Sequence, residues 1–191
     1  MVNSLEHAGL LMLAGFALGT AAALAYSWRS LRHPASHGVP RFFAFEGLVI
    51  LLLLNWRAWF ADPWSPIHLA SWLLLVGSLV LAIHGFLLLR RLGQATPPPP
   101  DSHLHGFEHT STLVVTGAYR FIRHPLYASL LYLAWGIALK TASPLSLGLA
   151  VVTGFFLWAT GRREEREMIA RFGDAYRRYL AHTRRFVPWI W

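Results

Sequence analysis

The chain has 191 residues, 55% of them hydrophobic, 14% charged and none cysteine. A soluble domain carries about a quarter charged residues, so this balance and a mean hydropathy of +0.42 exclude an ordinary water-soluble domain, and the lack of cysteine excludes a disulfide framework, a thiolate nucleophile and a Cys-based metal centre. The excess of 17 Lys and Arg over 9 Asp and Glu would suit nucleic acid in a soluble protein, but these arginines stand at the ends of apolar runs, where lipid headgroups and membrane orientation account for them.

The fold class read from the sequence is all-α: an integral membrane bundle of five transmembrane helices followed by a cytoplasmic amphipathic C-terminal helix. The first span, Ala8 to Trp28, follows Glu6 rather than a basic segment and reads as a retained helix, not a signal peptide. It contains Gly15 and Gly19, a small-residue pair suited to close helix packing. The second, Phe42 to Phe60, carries Glu46, Asn55 and Arg57; Glu46 and Arg57 share a helix face and suit an interhelix pair or a polar cavity. The third runs from Ile67 to Leu89. The fourth, Pro125 to Ala142, and the fifth, Pro144 to Gly161, are joined by little more than Ser143, which forces an antiparallel hairpin. Each is close to the roughly 20 residues that span a bilayer.

Arginines fall in the first and third connections (Arg29, Arg32, Arg41; Arg90, Arg91, Arg120, Arg123) and throughout the tail after Gly161, while the second connection holds only Asp62 and the fourth is flanked by Lys140. The positive-inside rule then places the N-terminus outside and the long third loop and the C-terminus in the cytoplasm. The chain is thus a single membrane domain, 1–191: three spans in 1–91, a cytoplasmic loop in 92–124, a hairpin in 125–161, and a cytoplasmic helix with an interfacial tail in 162–191. The host membrane is a bacterial inner membrane or one of the endoplasmic-reticulum type.

The third loop opens with the stiff spacer Pro97 to Pro100 and continues into a His-rich stretch, His103 to His109. Its spacing matches no zinc signature and it lacks thiolates, so no metal is expected. The tail from Arg162 to Ala181 reads as a helix, with Met168, Ile169, Phe172, Tyr176, Tyr179 and Leu180 in one stripe at about 100° per residue. The closing Phe186, Val187, Pro188, Trp189, Ile190 and Trp191 suit a membrane interface.

Two places carry candidate chemistry. In Leu113 to Tyr127, reading LVVTGAYRFIRHPLY, Gly117 permits a turn and Pro125 starts a helix without losing a hydrogen bond. His124 then stands at the helix N-cap, where free N–H groups, the dipole, Arg120 and Arg123 suit an anion. The bland alternative is a capped helix with arginines on lipid phosphates. The second place is Arg162, Arg163, Glu164 and Glu165. Acids in a first helical turn are ordinary, but Glu165 falls inside the apolar stripe and therefore needs an arginine such as Arg120 or Arg123, or a polar ligand. Glu164 lies at the stripe's edge. Glu164, Glu165 and Arg123 are the candidate catalytic residues.

The order Gly-x-Tyr-Arg-x-x-Arg-His-Pro-x-Tyr (Gly117 to Tyr127), a helical hairpin, Glu164–Glu165, then Phe172, Gly173, Tyr176, Tyr179 and Pro188 resembles the isoprenylcysteine carboxyl methyltransferase family and its phospholipid methyltransferase relatives. The resemblance covers about Ser111 to Pro188 and implies a cofactor-binding half, 111–188. It implies S-adenosylmethionine as cofactor, with contacts at Ser111, Thr112, Leu113, Val114, Tyr119, His124, Pro125, Leu126 and Tyr127. It implies a substrate side at Glu164, where relatives often have an arginine one turn earlier; this chain has Thr160 there, and Arg162 or Arg163 stands in. Expected partners are membrane lipids and a lipophilic small-molecule or lipidated acceptor, with no nucleic acid. Membrane sterol and enone reductases carry a similar Arg-His-Pro-x-Tyr string and use NADPH, but commonly have Asn before the Tyr and an acid soon after, where this chain has Leu126 and Ala128–Ser129. A non-catalytic membrane binding protein is the third alternative.

Overall fold

The computed structural model describes residues 2–97 and 109–188. The spacer from Pro98 onward, His103, His105, Glu108 and the aromatic end Trp189 to Trp191 lie outside the described residues. The described chain is helical, in the order α1 (Val2–Leu31), α2 (Gly38–Asn55, continued by a 3-10 turn Trp56–Ala58), α3 (Pro66–Leu92), a 3-10 turn at Gly117–Arg120, α4 (Pro125–Ala138), α5 (Pro144–Phe172) and α6 (Asp174–His182).

Three helices start the way their sequence demands. Ser65 and Ser143 are N-caps whose hydroxyls accept from the backbone N–H of His68 and Ser146, each followed by proline at the first helical position. His124 holds the same place before Pro125, but its side chain makes no capping bond and is left for other work. Four helical stretches are long and apolar enough to cross a bilayer: Gly9–Leu31, Gly38–Ala58, Pro66–Leu92 and Pro144–Phe172. The chain is a multi-pass membrane protein.

The structure corrects the expected five spans at two boundaries. α4 ends at Ala138 after 14 residues, about 21 Å at 1.5 Å per residue, short of the roughly 30 Å core. The apolar run continues to Ala142, but the backbone turns out at Lys140, whose carbonyl meets His68 Nε2 at 3.0 Å and whose ammonium lies 3.5 Å from the Trp72 ring centroid. The fifth span and the first part of the expected tail helix are one element. α5 runs unbroken through Gly161 and Arg162 to Phe172, and the break comes at Gly173, where a φ of +56° favours glycine. The change from apolar to charged residues at Gly161 marks a change of surroundings, not a helix end.

α1 packs on α2, α2 on α4 and α5, α3 on α4, and α4 on α5. Gly15 and Gly19 are where α1 approaches α2: a Cβ at Gly15 would meet Leu53 at 3.0 Å and one at Gly19 would meet Val49 at 2.7 Å. The core lies between α2, α4 and α5, in Leu48, Leu51, Ala134, Ile137, Ala138 and Ala150, with Ala44, Tyr127 and Leu157 nearer the arginine-rich end. Glu46 accepts from Thr20 on α1 across 2.8 Å, and the Arg57 guanidinium lies over the Trp56 ring, so these two polar residues serve separate contacts.

The two ends of the bundle differ. At one, Asn55 Oδ1 accepts from Thr141 (2.6 Å) and Ser146 (3.1 Å), beside His68 and Lys140. At the other, the turn between α1 and α2 is fastened to the end of α5: Arg163 donates to the carbonyls of Pro34 (2.9 Å) and Ser36 (3.0 Å), and Glu167 accepts from the backbone N–H of His37 (3.0 Å). This second end holds the site.

Candidate functional site at the arginine-rich end

A cavity of about 310 Å³ opens where α2, α3, α4, α5 and α6 converge with the segment before α4. Backbone pairing sets its floor. A parallel bridge joins Ile122 to Arg184; Arg123 N–H donates to Arg184 O (2.7 Å), His124 N–H to Arg185 O (3.2 Å), and Arg184 N–H to Phe121 O (3.0 Å). These bonds bring the residues after α6 against the start of α4. Gly117, at φ +59°, makes the turn that lets this segment reach α3; a Cβ there would lie 2.8 Å from His84 Nε2.

Glu165 is the hub of the site. Its Oε1 accepts from Arg123 Nε (2.8 Å) and Arg185 Nε (3.1 Å), and its Oε2 from Arg185 Nη2 (2.7 Å). The Arg123 guanidinium also donates to the carbonyl of Thr183. The inward carboxylate anticipated from the helical stripe is therefore neutralised by two arginines. Arg123 is one of the two candidates anticipated; Arg120 instead lies over the Phe121 ring. Arg185 was missed, because nothing local in the sequence links it to a residue on the previous helix.

Glu164, one residue earlier, faces the cavity. Its Oε2 is sealed from solvent, makes no hydrogen bond, and lies 3.5 Å from His124 Nδ1. His124, 6% exposed, stacks on Tyr127 and presents Nε2 to Glu165 Oε1 at 3.4 Å. Burial pushes its pKa down, but the two carboxylates outweigh burial and hold it above the usual histidine value. The site thus holds an imidazole between a neutralised acid, Glu165, and one that lines the cavity, Glu164.

Several aromatic rings share the wall. Tyr119, Tyr176 and Tyr179 all line the cavity; Tyr179 donates to Tyr119 O (2.6 Å) and meets Tyr176 edge-on at 5.7 Å. Burial raises the pKa of all three phenols, so they act as aromatic faces and hydrogen-bond donors rather than bases. The stripe Met168, Phe172, Tyr176, Tyr179 lines one cavity wall, although Gly173 divides it between two helices.

Of the anticipated cofactor contacts, Leu113, Val114, Tyr119, His124, Leu126 and Tyr127 line the cavity. Ser111, Thr112 and Pro125 do not: Ser111 and Thr112 are exposed and bonded to Gln94 O and Gly93 O, and Pro125 is buried against Gly85 of α3. Of the anticipated substrate residues only Glu164 lines it. Thr160 bonds back to Phe156 O (2.7 Å), Arg162 lies over Trp158, and Arg163 is spent on the α1–α2 turn. Sequence reasoning missed Tyr26, Arg41 and Phe45, which reach the cavity from the first two helices, and Thr110, Ser129 and Leu130. It also missed the pair of His37 Nδ1 with Glu167 Oε2 at 2.7 Å. Burial lowers the His37 pKa, and Glu167 and Glu164 raise it further than burial lowers it. Among the described residues no group of three or more His, Asp or Glu is arranged to hold a metal ion, and His109 is bonded to Thr96.

The model of the phospholipid methyltransferase family matches residues 67–175, which include α3, the segment before α4, and the Glu164–Glu165 end of α5. The chain belongs to this family. Among its relatives are methanethiol S-methyltransferase 1 of Bradyrhizobium diazoefficiens, 30% identical over 76% of this chain and 52% of that protein, and methanethiol S-methyltransferase of Mycobacterium tuberculosis, 34% identical over 37% of this chain and 28% of that one. Human protein-S-isoprenylcysteine O-methyltransferase is 27% identical over 86% of this chain and 60% of its own length. The chain spans about half the length of the curated relatives it matches. No solved structure matches it. Tyr119, His124, Glu164 and Glu165 fall within the matched residues, and Tyr26, Arg41 and Phe45 lie outside them.

Proposed function

We propose that this chain is an S-adenosylmethionine-dependent methyltransferase that acts on an acceptor delivered from the membrane. The observation that carries this reading is Glu164. Its carboxylate side chain lines a cavity walled by tyrosines, with Oε2 held 3.5 Å from the Nδ1 of the buried His124 imidazole. That donor set fits the cofactor. A carboxylate in a cavity wall attracts a cationic ligand, and aromatic faces attract sulfonium and ammonium groups. The cavity volume lies at the lower end of the 300–1,000 Å³ usual for small-molecule sites. The residues that would hold the cofactor are Leu113, Val114, Tyr119, His124, Leu126 and Tyr127, together with Tyr176 and Tyr179. S-adenosylmethionine supplies a methyl group already activated on a positively charged sulfur.

The protein's share of the work is then alignment and proton handling. The Glu165–Arg123–Arg185 cluster fixes the segment before α4 to the end of α5, so the cavity keeps its shape. The Glu164 carboxylate takes the proton from a thiol or amine acceptor; a carboxylate acceptor needs none taken. Phe45, Ala82 and Leu130, which line the cavity from the apolar helices α2, α3 and α4, suit an acceptor that is apolar and arrives from the bilayer side.

The reading includes an orientation with the N-terminus outside and the C-terminus in the cytoplasm, where a soluble cofactor reaches the cavity. The test is calorimetry of the purified chain with S-adenosylhomocysteine and with NADPH. Binding of the first and not the second is expected. Binding of NADPH alone replaces this reading by a reductase, and methyl transfer to no acceptor despite S-adenosylhomocysteine binding replaces it by a non-catalytic binding protein.

A further inference from the structure

We propose that Arg41 is the residue that holds the acceptor, and that it does so by binding a negatively charged acceptor atom, the oxygen of a carboxylate or the sulfur of a thiolate. The inference rests on the reading of the cavity as a methyl-transfer site. Arg41 is on α2, is 2% exposed, and lines the cavity. A guanidinium stays charged at any physiological pH and presents five donors in a rigid fork, so it brings a permanent positive charge to an otherwise largely apolar wall.

Its placement on α2 sets it apart from Tyr119 and Val114, while Tyr127 packs against Ala44 of the same helix. The Gly117–Arg120 turn packs on α3, whereas α2 packs on α1, α4 and α5. Tyr119 and Val114 therefore meet the cavity from the α3 side, and Arg41, Tyr26 and Phe45 from the α2 side, with Glu164 of α5 reaching the same space. The α2 wall combines one cation with two aromatic rings, which suits a ligand with an anionic head on an apolar body. This wall also lies outside residues 67–175, which match the family.

The guanidinium is also braced. Arg41 Nη1 lies 3.4 Å from His37 Nε2, and its Cζ 5.0 Å from the centre of the Tyr26 ring. His37 is pinned in turn by Glu167, which bonds both its ring Nδ1 (2.7 Å) and its backbone N–H (3.0 Å). Glu167 and His37 are positioning residues: they tie the start of α2 to α5 and fix the direction of Arg41. Such a support holds a binding group to the sub-ångström placement that recognition needs.

The experiment uses the full chain in nanodiscs, with S-adenosylhomocysteine as cofactor probe and methanethiol and a free-carboxylate S-isoprenylcysteine as the two acceptor probes. Arg41→Gln is expected to keep S-adenosylhomocysteine affinity within about twofold and to raise the KM of the accepted anion by about tenfold or more, with a smaller change in kcat. Arg41→Lys keeps the charge but loses the fork, and falls between the two. Glu167→Gln raises the same KM by a smaller factor. In the unaltered protein the accepted carboxylate is bound at least about tenfold tighter than its carboxamide, or, if the thiol is the acceptor, dimethyl sulfide does not compete; these arms hold even where a variant does not fold. Loss of S-adenosylhomocysteine affinity in Arg41→Gln equal to the loss for the acceptor overturns the proposal by making Arg41 a cofactor residue. An unchanged KM, or no binding of either anion by a protein that does bind S-adenosylhomocysteine, overturns it as well. An unaltered protein that binds no S-adenosylhomocysteine overturns the methyltransferase reading itself.

Discussion

Arg123 Nε donates to Glu165 Oε1 across 2.8 Å, joining the segment before α4 to the charged end of α5. The pair is 42 residues apart in sequence, and Arg185 closes the same carboxylate from the other side. Because Arg123 also holds the Thr183 carbonyl, one side chain fixes three parts of the chain.

Removing the carboxylate charge therefore disturbs the frame rather than the reacting atoms. Glu165→Gln is expected to leave two partly buried guanidiniums without their counter-charge, at a cost of about 2–5 kcal/mol. The thermal midpoint in detergent should fall, and affinity for S-adenosylhomocysteine should fall with it. An unchanged midpoint would show that the cluster is a screened surface pair of little weight.

Glu164 is the contrasting case. It has no arginine partner among the hydrogen bonds described and faces the cavity. Glu164→Gln keeps the shape but removes one of the two carboxylates beside His124, so the midpoint should fall, though by less than in Glu165→Gln, which unpairs two arginines. Turnover of a thiol acceptor should drop by about 10²–10⁴, the usual contribution of a positioned base, while a carboxylate acceptor loses much less. Measuring methyl transfer to both kinds of acceptor separates a proton-taking role from simple charge. Equal turnover by the variant and the parent protein rules out the role.

Much of this site was legible in the sequence, and the reason is local. A proline after a capping position starts a helix wherever it occurs, so the starts at Pro125, after His124, and at Pro144 were readable, whereas the start at Pro66 was placed one residue late. The position of Glu165 in an apolar stripe required a cation, and a nearby arginine was a short guess. The limits were also physical. Arg185 and Arg41 reach the site through backbone pairing and helix packing between distant segments, which leave no periodic signature. The early end of α4 depends on the carbonyl of Lys140 meeting His68 and on its ammonium resting against Trp72, contacts with α3 that hydropathy does not register. Gly161 was taken for a boundary because polarity changes there, yet the residues that follow are good helix formers and glycine at 173 is the one with positive φ.

The bundle's polarity gives a topological prediction. The α1–α2 turn, the segment before α4 and the residues after α6 meet at one end, where His37, Arg123 and Arg185 lie; Asn55, His68 and Lys140 mark the other. Reporter fusions after Trp64 and after Trp191 should report opposite sides of the membrane, with the second in the cytoplasm. Fusions that report the same side would remove the cofactor's route from the cytoplasm.

His124 makes the last prediction, because its two roles separate with pH. Burial lowers its pKa, while Glu164 and Glu165 raise it by more, so the folded value lies above the ordinary 6.5. A group whose folded pKa exceeds its unfolded value contributes stability that is complete below the unfolded value and is lost as pH rises through the folded value. The thermal midpoint of the ligand-free protein should therefore fall as pH is raised above about 6.5, with part of the slope supplied by His37, which is shifted the same way. His124→Asn should flatten that slope without abolishing it, and should lower the midpoint most at the acidic end, where the imidazolium is fully formed. It should also weaken S-adenosylhomocysteine binding by more than its stability loss accounts for, since the ring stacks on Tyr127 and lines the cavity. Calorimetric titrations of both proteins at about pH 6 and about pH 8.5, on either side of the ordinary histidine range, read the two effects separately. A parallel pH slope in the variant would mean that the imidazole carries no charge between its two carboxylates, and equal affinity in a folded variant would make it only the residue that precedes a helix.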